Sequence, residues 1–317
     1  MESLQVAAVQ MRARLGAWEE NLETALGLAG EAFAAGAEWV ILPEFFTTAV
    51  GFHPVMLGAV EPLEGRTLGA LRELAGRYGG VVGGSFIAWR EGRPRNTFVL
   101  VFPGGSYLAH DKDQPTMWEN CWYEGGSDDG VLTTPAGPVG VGLCWELIRT
   151  RTVRRLRGRV DLVVGGSCWW TLPERRLPGF PPELHRRNVS IMEATPGRFA
   201  RLVGAPVVHA AHAGKLEGRL PLLPGFPYRS HFLGETQIVD ASGEILARMR
   251  HEDGEGFVTA AVAPGRAEPS EEVPRGFWIP DLPVQFRLLW HLQNLHGRCY
   301  RRLRTRPWRR RHLSFCR

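Results

Sequence analysis

The sequence predicts an α/β fold with a sheet buried on both faces, and three observations carry that expectation. Runs such as "WVILP", "VGVGL" and "VDLVV" are apolar without alternation, the pattern of strands covered on two sides. Helical spacing recurs between such runs, with Leu22, Ala25, Leu26, Ala29 and Phe33 on one stripe and Leu68, Leu71, Leu74 and Ala75 on another. The chain has 317 residues, 44% of them hydrophobic, which is enough for one large core.

In order along the chain, "LQVAAVQM" reads as a strand, residues 18–35 as a helix and "AEWVILPE" as a buried strand. Residues 66–78 repeat the helix. "GGVVGGSFIAW", "NTFVLVFP" and "GSYLAHDK" follow as strands, the first two separated by the polar turn "REGRPR". "VGVGL" ends at Cys144, and "LIRTRTVRRLRG" then reads as a basic helix stopping at Gly158. "VDLVVGGS" is a strand, residues 181–204 mix helical spacing with breaks, and "APVVHAAHAG" is a strand again. "GETQIVDASGEILARM" alternates around the turn "DASGE", a hairpin pattern, and "GEGFVTAAVAP" closes the sheet. Residues 1–265 thus read as one domain. Residues 266–317 form an extension, in which a Pro- and Glu-rich surface excursion precedes helical potential over 283–303. There Val284, Leu288, Leu292 and Leu295 fall near one face, and the end of the chain looks frayed.

The formal net charge is +5, but its distribution matters more than its sum. Residues 282–317 hold 10 Arg and no acid, so the remaining 28 basic residues face 33 acidic ones, a net −5 for the body. An anionic partner would therefore have to meet the tail, either nucleic acid or an anionic membrane, against the alternative that the tail packs on the body or a sister subunit. The opening residues lack a basic region and a cleavage site, and no apolar run approaches the roughly 20 residues of a membrane span, so a soluble cytoplasmic protein is expected. Cys121, Cys144, Cys168, Cys299 and Cys316 are odd in number and lack CxxC spacing, which argues against a disulfide framework and a zinc ribbon.

Glu44, Lys112 and Cys144 each stand at the end of an apolar strand, where charge or reactivity is costly unless used. Together they would supply a base, a cation and a nucleophile. A thiol is largely protonated at neutral pH, so a carboxylate must take its proton, and Glu44 can do so. Attack on an amide or nitrile carbon puts negative charge on its oxygen or nitrogen. Lys112 and the backbone N–H of Trp145, at the start of the following helix, are candidate donors to that charge.

The ordered segments "LPEFF", "HDKDQPT" and "GLCWE" resemble the nitrilase superfamily of carbon-nitrogen hydrolases, from about Leu4 to Val262. The resemblance implies a four-layer αββα sandwich, dimers or longer assemblies, and a Glu44, Lys112, Cys144 catalytic set working without metal or organic cofactor. It also implies a second acid, Glu119, that orients the substrate, with Pro115, Thr116, Gly125 and Gly126 around it matching the spacing near the family's lysine. "CWE" is like nitrilases proper, whereas "LIRTRTVRRL" lacks the asparagine and Met-Pro pair that follow in them. Amide and nitrile both stay open, and the family's commoner activity favours a small amide. A carbamoyl amine and the acyl group are likewise open.

Trp169 and Trp170 follow a strand where this family builds its pocket, as an apolar wall or cation–π face, or else as core or interface packing. Cys168 has no Glu and Lys of its own and reads as structural, and Cys121 as incidental packing. His209 and His212 are three apart on a strand, which points them to opposite faces, and no carboxylate completes a metal set. No G-x-S-x-G or complete G-x-G-x-x-G occurs, and a Cys-His-Glu glutaminase would want a late His-x-Glu that is missing.

Overall fold

The computed structural model describes residues 3–174 and 179–316. Met1, Glu2 and Arg317, the last of them counted with the basic tail, lie outside the described residues. The first half of the chain runs β1 (Leu4–Met11), α1 (Trp18–Ala34), β2 (Trp39–Ile41), β3 (Glu61–Pro62), α2 (Arg66–Tyr78), β4 (Val81–Arg90), β5 (Arg93–Val101) and β6 (Tyr107–Asp111). Then come β7 (Val131–Thr134), β8 (Gly137–Leu143), α3 (Thr150–Leu156), β9 (Leu162–Ser167), α4 (Pro182–Val203), β10 (Val207–His212), β11 (Lys215–Leu220) and β12 (Leu223–His231). The chain ends with β13 (Gly234–Val239), β14 (Ile245–Arg250), β15 (Gly256–Val262), α5 (Val284–Tyr300) and α6 (Arg306–His312).

The strands form two stacked halves, β6-β5-β4-β2-β1-β15 and β7-β8-β9-β10-β13-β14, joined where Gln10 and Met11 of β1 pair with Ala211 and His212 of β10. Alternation along single strands explains the unbroken apolar runs. Val6 and Ala8 of β1 meet Val141, Val164 and Val208 between the sheets, while Ala7 and Val9 face outward onto Leu22, Ala25 and Leu71 of α1 and α2. On the other side Val163 and Val207 turn to Val153, Phe199 and Val203 of α3 and α4. The central strands have a helix layer behind them and a sheet in front, which is the four-layer αββα sandwich.

Several expectations change. The β4–β5 hairpin turns on Glu91 and Gly92 alone, both at positive φ, so the strands run into what reads as a polar turn. Residues 182–203 are one helix, because the buried stripe of Ile191, Met192, Phe199 and Val203 continues past Pro196, which removes only one backbone donor. The expected helix after Cys144 is a 3-10 turn, Cys144–Ile148, before α3, too short to add a substantial dipole. The hairpin β11–β12 escaped the reading, because β11 alternates over only six residues and β12 carries Pro224, Gly225 and Pro227, which argue against a strand.

The extension is ordered where fraying was expected. α5 passes through a π turn, Arg301–Thr305, into α6, and Pro307, lacking an N–H, sits at the junction. Buried Arg309 donates to the carbonyls of Leu57, Trp122 and Met56. α5 docks with Phe286, Trp290 and Gly297 against the body, so the stripe of Val284, Leu288, Leu292 and Leu295 faces solvent instead, each residue more than half exposed.

Candidate active site

Three buried turns converge at the ends of β2, β6 and β8. Glu44 follows β2, and Phe45 beside it takes positive φ, its N–H held by the Ser85 hydroxyl. The residue also needs space behind it, since a Cβ on Gly166 would lie 3.0 Å from the Glu44 nitrogen and 2.7 Å from the Ala210 carbonyl. Lys112 follows β6. Its N–H pairs with the Asn96 carbonyl, and its own carbonyl accepts from Gly126, where a Cβ would come within 2.4 Å of Asp111. Cys144 sits directly after β8 at φ 51°, a strained value for a side chain of its size.

Lys112 Nζ lies 2.8 Å from Glu44 Oε1 and 2.8 Å from Glu119 Oε2, and all three side chains are fully buried. Two of the ammonium's three N–H groups are thereby used. Glu44 Oε1 also accepts from Asn96 Nδ2 at 2.8 Å and Oε2 from the Cys168 N–H at 3.0 Å. Burial raises the Glu44 pKa to about 7, although Lys112 pulls it down. Burial alone would lower the Lys112 pKa, but Glu119 and Glu44 outweigh it and hold the amine protonated. Glu119 Oε2 further accepts from the Thr116 N–H at 2.7 Å and the Tyr123 hydroxyl. Its Oε1 is buried without a partner among the described residues. Burial and the Glu44 carboxylate push the Cys144 thiol well above its usual range, while Lys112 and the backbone N–H of Trp145 pull it down.

Glu146 has a part that the sequence did not suggest. Buried, it accepts from the N–H groups of Leu143 and Asp113 at 3.0 Å each, clamping the cysteine turn to the lysine turn. Burial would raise its pKa, but His110, Arg149 and Arg155 hold it well below the usual carboxylate range. Both its oxygens are taken up by Leu143, Asp113, His110 and Arg155. His212, rejected as a ligand on spacing, has an equally local duty, as its Nε2 donates to the Glu44 carbonyl at 2.8 Å. His209 instead meets Ser167 at 2.8 Å.

Trp145 and Trp169 pack with Cys144 in one cluster, and Trp170 stacks on Trp118 at 4.2 Å between ring centroids. All four indoles line an apolar cavity of about 360 Å³, closed on other sides by Phe286 and Leu289 of α5 and Leu223 of the β11–β12 hairpin. Cys168 and Cys121 lie in the core beyond it.

Asn96, Tyr123 and Asn294 were missed, and His212 was weighed only as a metal ligand. The hairpin between β5 and β6 already sets Asn96 opposite Lys112 in register, a usable signal. Asn294 had none: its Oδ1 accepts from the Met117 N–H and Asn120 Nδ2, both at 2.9 Å, from 177 residues away in sequence.

A buried thiol on a strained turn, with two carboxylates sharing one ammonium on an αββα frame, defines a thiol hydrolase class. The chain matches the carbon-nitrogen hydrolase family over residues 5–271 and belongs to it. It is 30% identical over 162 residues to an omega-amidase, NIT2, of Bos taurus, a match that spans 46% of this chain and about half, 56%, of that protein. By fold it resembles the CN-hydrolase superfamily protein XC1258 of Xanthomonas campestris, with TM-score 0.64, 20% identity and coverage of 83% of this chain and 91% of that one. It likewise resembles a Nesterenkonia amidase in complex with butyramide, with TM-score 0.64, 18% identity and coverage of 83% and 92%. Among the described residues no helix is long and apolar enough to cross a membrane, and no cluster of His, Cys, Asp and Glu could hold a metal.

Proposed function

We propose that this chain is a cysteine-dependent amidase that releases ammonia or an amine from an amide with an apolar side group. The observation that carries the reading is the fully buried Lys112, 2.8 Å from each of two carboxylates beside a thiol. Cys144 is the nucleophile and Glu44 the base. A thiol pushed up by burial attacks only as its proton leaves, and a carboxylate with a pKa about 7 is matched to accept it near neutrality.

As the sulfur–carbon bond forms, the carbonyl π electrons move to oxygen, where the third N–H of Lys112 and the Trp145 N–H receive the charge. The free Oε1 of Glu119 accepts the N–H of the substrate amide and so fixes its orientation. The carbon–nitrogen bond then breaks, and the nitrogen leaves with the proton that Glu44 took. Water, giving a proton to Glu44, attacks the thioester, and the acid departs with the thiol restored.

Names of relatives support amide over nitrile: an omega-amidase in sequence, and an amidase bound to butyramide in fold. The tryptophan-lined cavity supports an apolar group on the substrate, with Trp169 and Trp170 as its walls. The test is intact-mass analysis of wild type and Cys144→Ala mixed with amides and nitriles. An acyl adduct on wild type alone is expected, and turnover by a folded Cys144→Ala protein would refute the assignment.

A further inference from the structure

Among the described residues, two groups of exposed apolar side chains lie on either side of the tryptophan-lined cavity. The outward side of α5 carries Val284, Leu288, Leu292 and Leu295 at 54–59% exposure, and Leu303 continues the stripe at 71%. The tip of the β11–β12 hairpin, "LPLLPGFP", exposes Leu222, Leu223 and Phe226 at 54–57%. Apolar side chains grouped in this way on a surface commonly mark an interaction site.

These features flank the mouth of the apolar cavity. Leu222 and Leu223 line it from the hairpin, and Leu289 and Gln293 line it from α5, one position along from the exposed Leu288 and Leu292. The same helical rod is strongly basic. Arg298, Arg302, Arg304, Arg306, Arg310 and Arg311 are exposed, and none has an acidic partner among the described residues.

We propose that this face docks on an anionic bilayer surface and that the cavity opening within it takes amides bearing a long apolar chain. The substrate half of this inference rests on the amidase reading. Leucines along one side of a helix, with exposed arginines following them on the same rod, fit a segment lying in a lipid interface, where arginine heads reach phosphate while their stems stay with the acyl chains. Each arginine near an anionic surface strengthens partitioning by about fivefold. A second copy is the poorer occupant, because residues 282–317 contain 10 Arg and no acid, and a symmetric contact through this rod sets like charges against each other. Nucleic acid would meet the arginines but leave the leucines and Phe226 unexplained.

The test is flotation of the full-length protein with phosphatidylcholine vesicles, with and without one quarter phosphatidylglycerol, at physiological ionic strength. Wild type should float with the anionic vesicles and at least tenfold less with the neutral ones. Leu288→Asp/Leu292→Asp should lower the partition at least tenfold, with unchanged thermal unfolding and unchanged hydrolysis of soluble butyramide. The same variant should lose activity on dodecanamide presented in the vesicles. Failure of wild type to float overturns the proposal. So does a wild-type dimer that these aspartates convert to monomer, or binding that Arg302→Gln/Arg306→Gln and competing RNA abolish but the aspartates do not. Flotation needs no turnover, so a protein that floats without hydrolysing amides refutes the amidase reading and leaves the docking standing.

Discussion

Replacing Lys112 by Met removes the one cation between Glu44 and Glu119 while keeping the length of the side chain. Nζ stands 2.8 Å from each carboxylate, and nothing in the group reaches solvent. Breaking a buried pair on one side typically costs about 3–5 kcal/mol, because the remaining charge is left uncompensated. The cost should depend on pH in a definite direction. With Lys112 present, Glu44 has a pKa of about 7, above the carboxylate's usual value because burial outweighs the lysine. Without the lysine it rises further. A carboxylate with a raised folded pKa takes up a proton on folding, so above its unfolded pKa it costs stability, and that cost grows up to the folded pKa. Wild type and variant therefore diverge as pH rises through about 7, by up to roughly 1.4 kcal/mol per pH unit for one proton. Urea unfolding of both proteins between pH 5 and 9 measures this. Loss of one oxyanion donor should also lower kcat by about 10²–10³-fold. A stability difference flat across pH 7, or full activity in the variant, would refute the arrangement of charges.

Activity of the wild type should rise with an apparent pKa of about 7 and fall away below it, since protonated Glu44 cannot accept the thiol proton; an acid limb unchanged in Glu44→Gln would count against the base. Asn294→Leu leaves the buried Met117 N–H unpaired, while Asn120 Nδ2 keeps the Pro115 and Met117 carbonyls; this should cost about 1–3 kcal/mol and raise KM through the displaced Glu119 turn, as read by thermal unfolding and steady-state kinetics. Trp170→Ala should raise KM at least tenfold for aryl amides while leaving that for acetamide within about twofold, because only the larger group reaches the Trp118–Trp170 stack.

Much of this site was legible because strands end where chemistry begins. Glu44 and Cys144 each follow an apolar run whose burial on both faces could be read from residue type alone, Lys112 ends the edge strand β6, and the structure brings Glu44 and Lys112 to within 2.8 Å. Helix α2 falls where its leucines predict, Arg66–Tyr78. The parts that escaped depend on which of two chemically plausible faces turns inward. On α5 the leucine stripe was the natural core face, yet Phe286, Trp290 and a glycine fitting against Asn120 win the contact, and a Cβ on that Gly297 would lie 2.6 Å from it. Glu146 read as a marker of substrate type, whereas its hydrogen bonds to Leu143 and Asp113 make it a brace. Side-chain bonds across 177 residues, as from Asn294, leave no local trace in sequence.

The central claim is that Cys144 carries the acyl group while Glu44, Lys112 and Glu119 surround it. It is tested most directly by rapid-quench intact mass spectrometry of wild type, Cys144→Ala and Glu44→Gln with a panel of amides and nitriles, followed by peptide mapping of any adduct. The account predicts an acyl mass on the peptide containing Cys144 in wild type and none in Cys144→Ala. In Glu44→Gln, any adduct that forms should persist, because no base activates water. An acyl group mapped to Cys168 or Cys121, or ammonia release undiminished by Cys144→Ala, would contradict it.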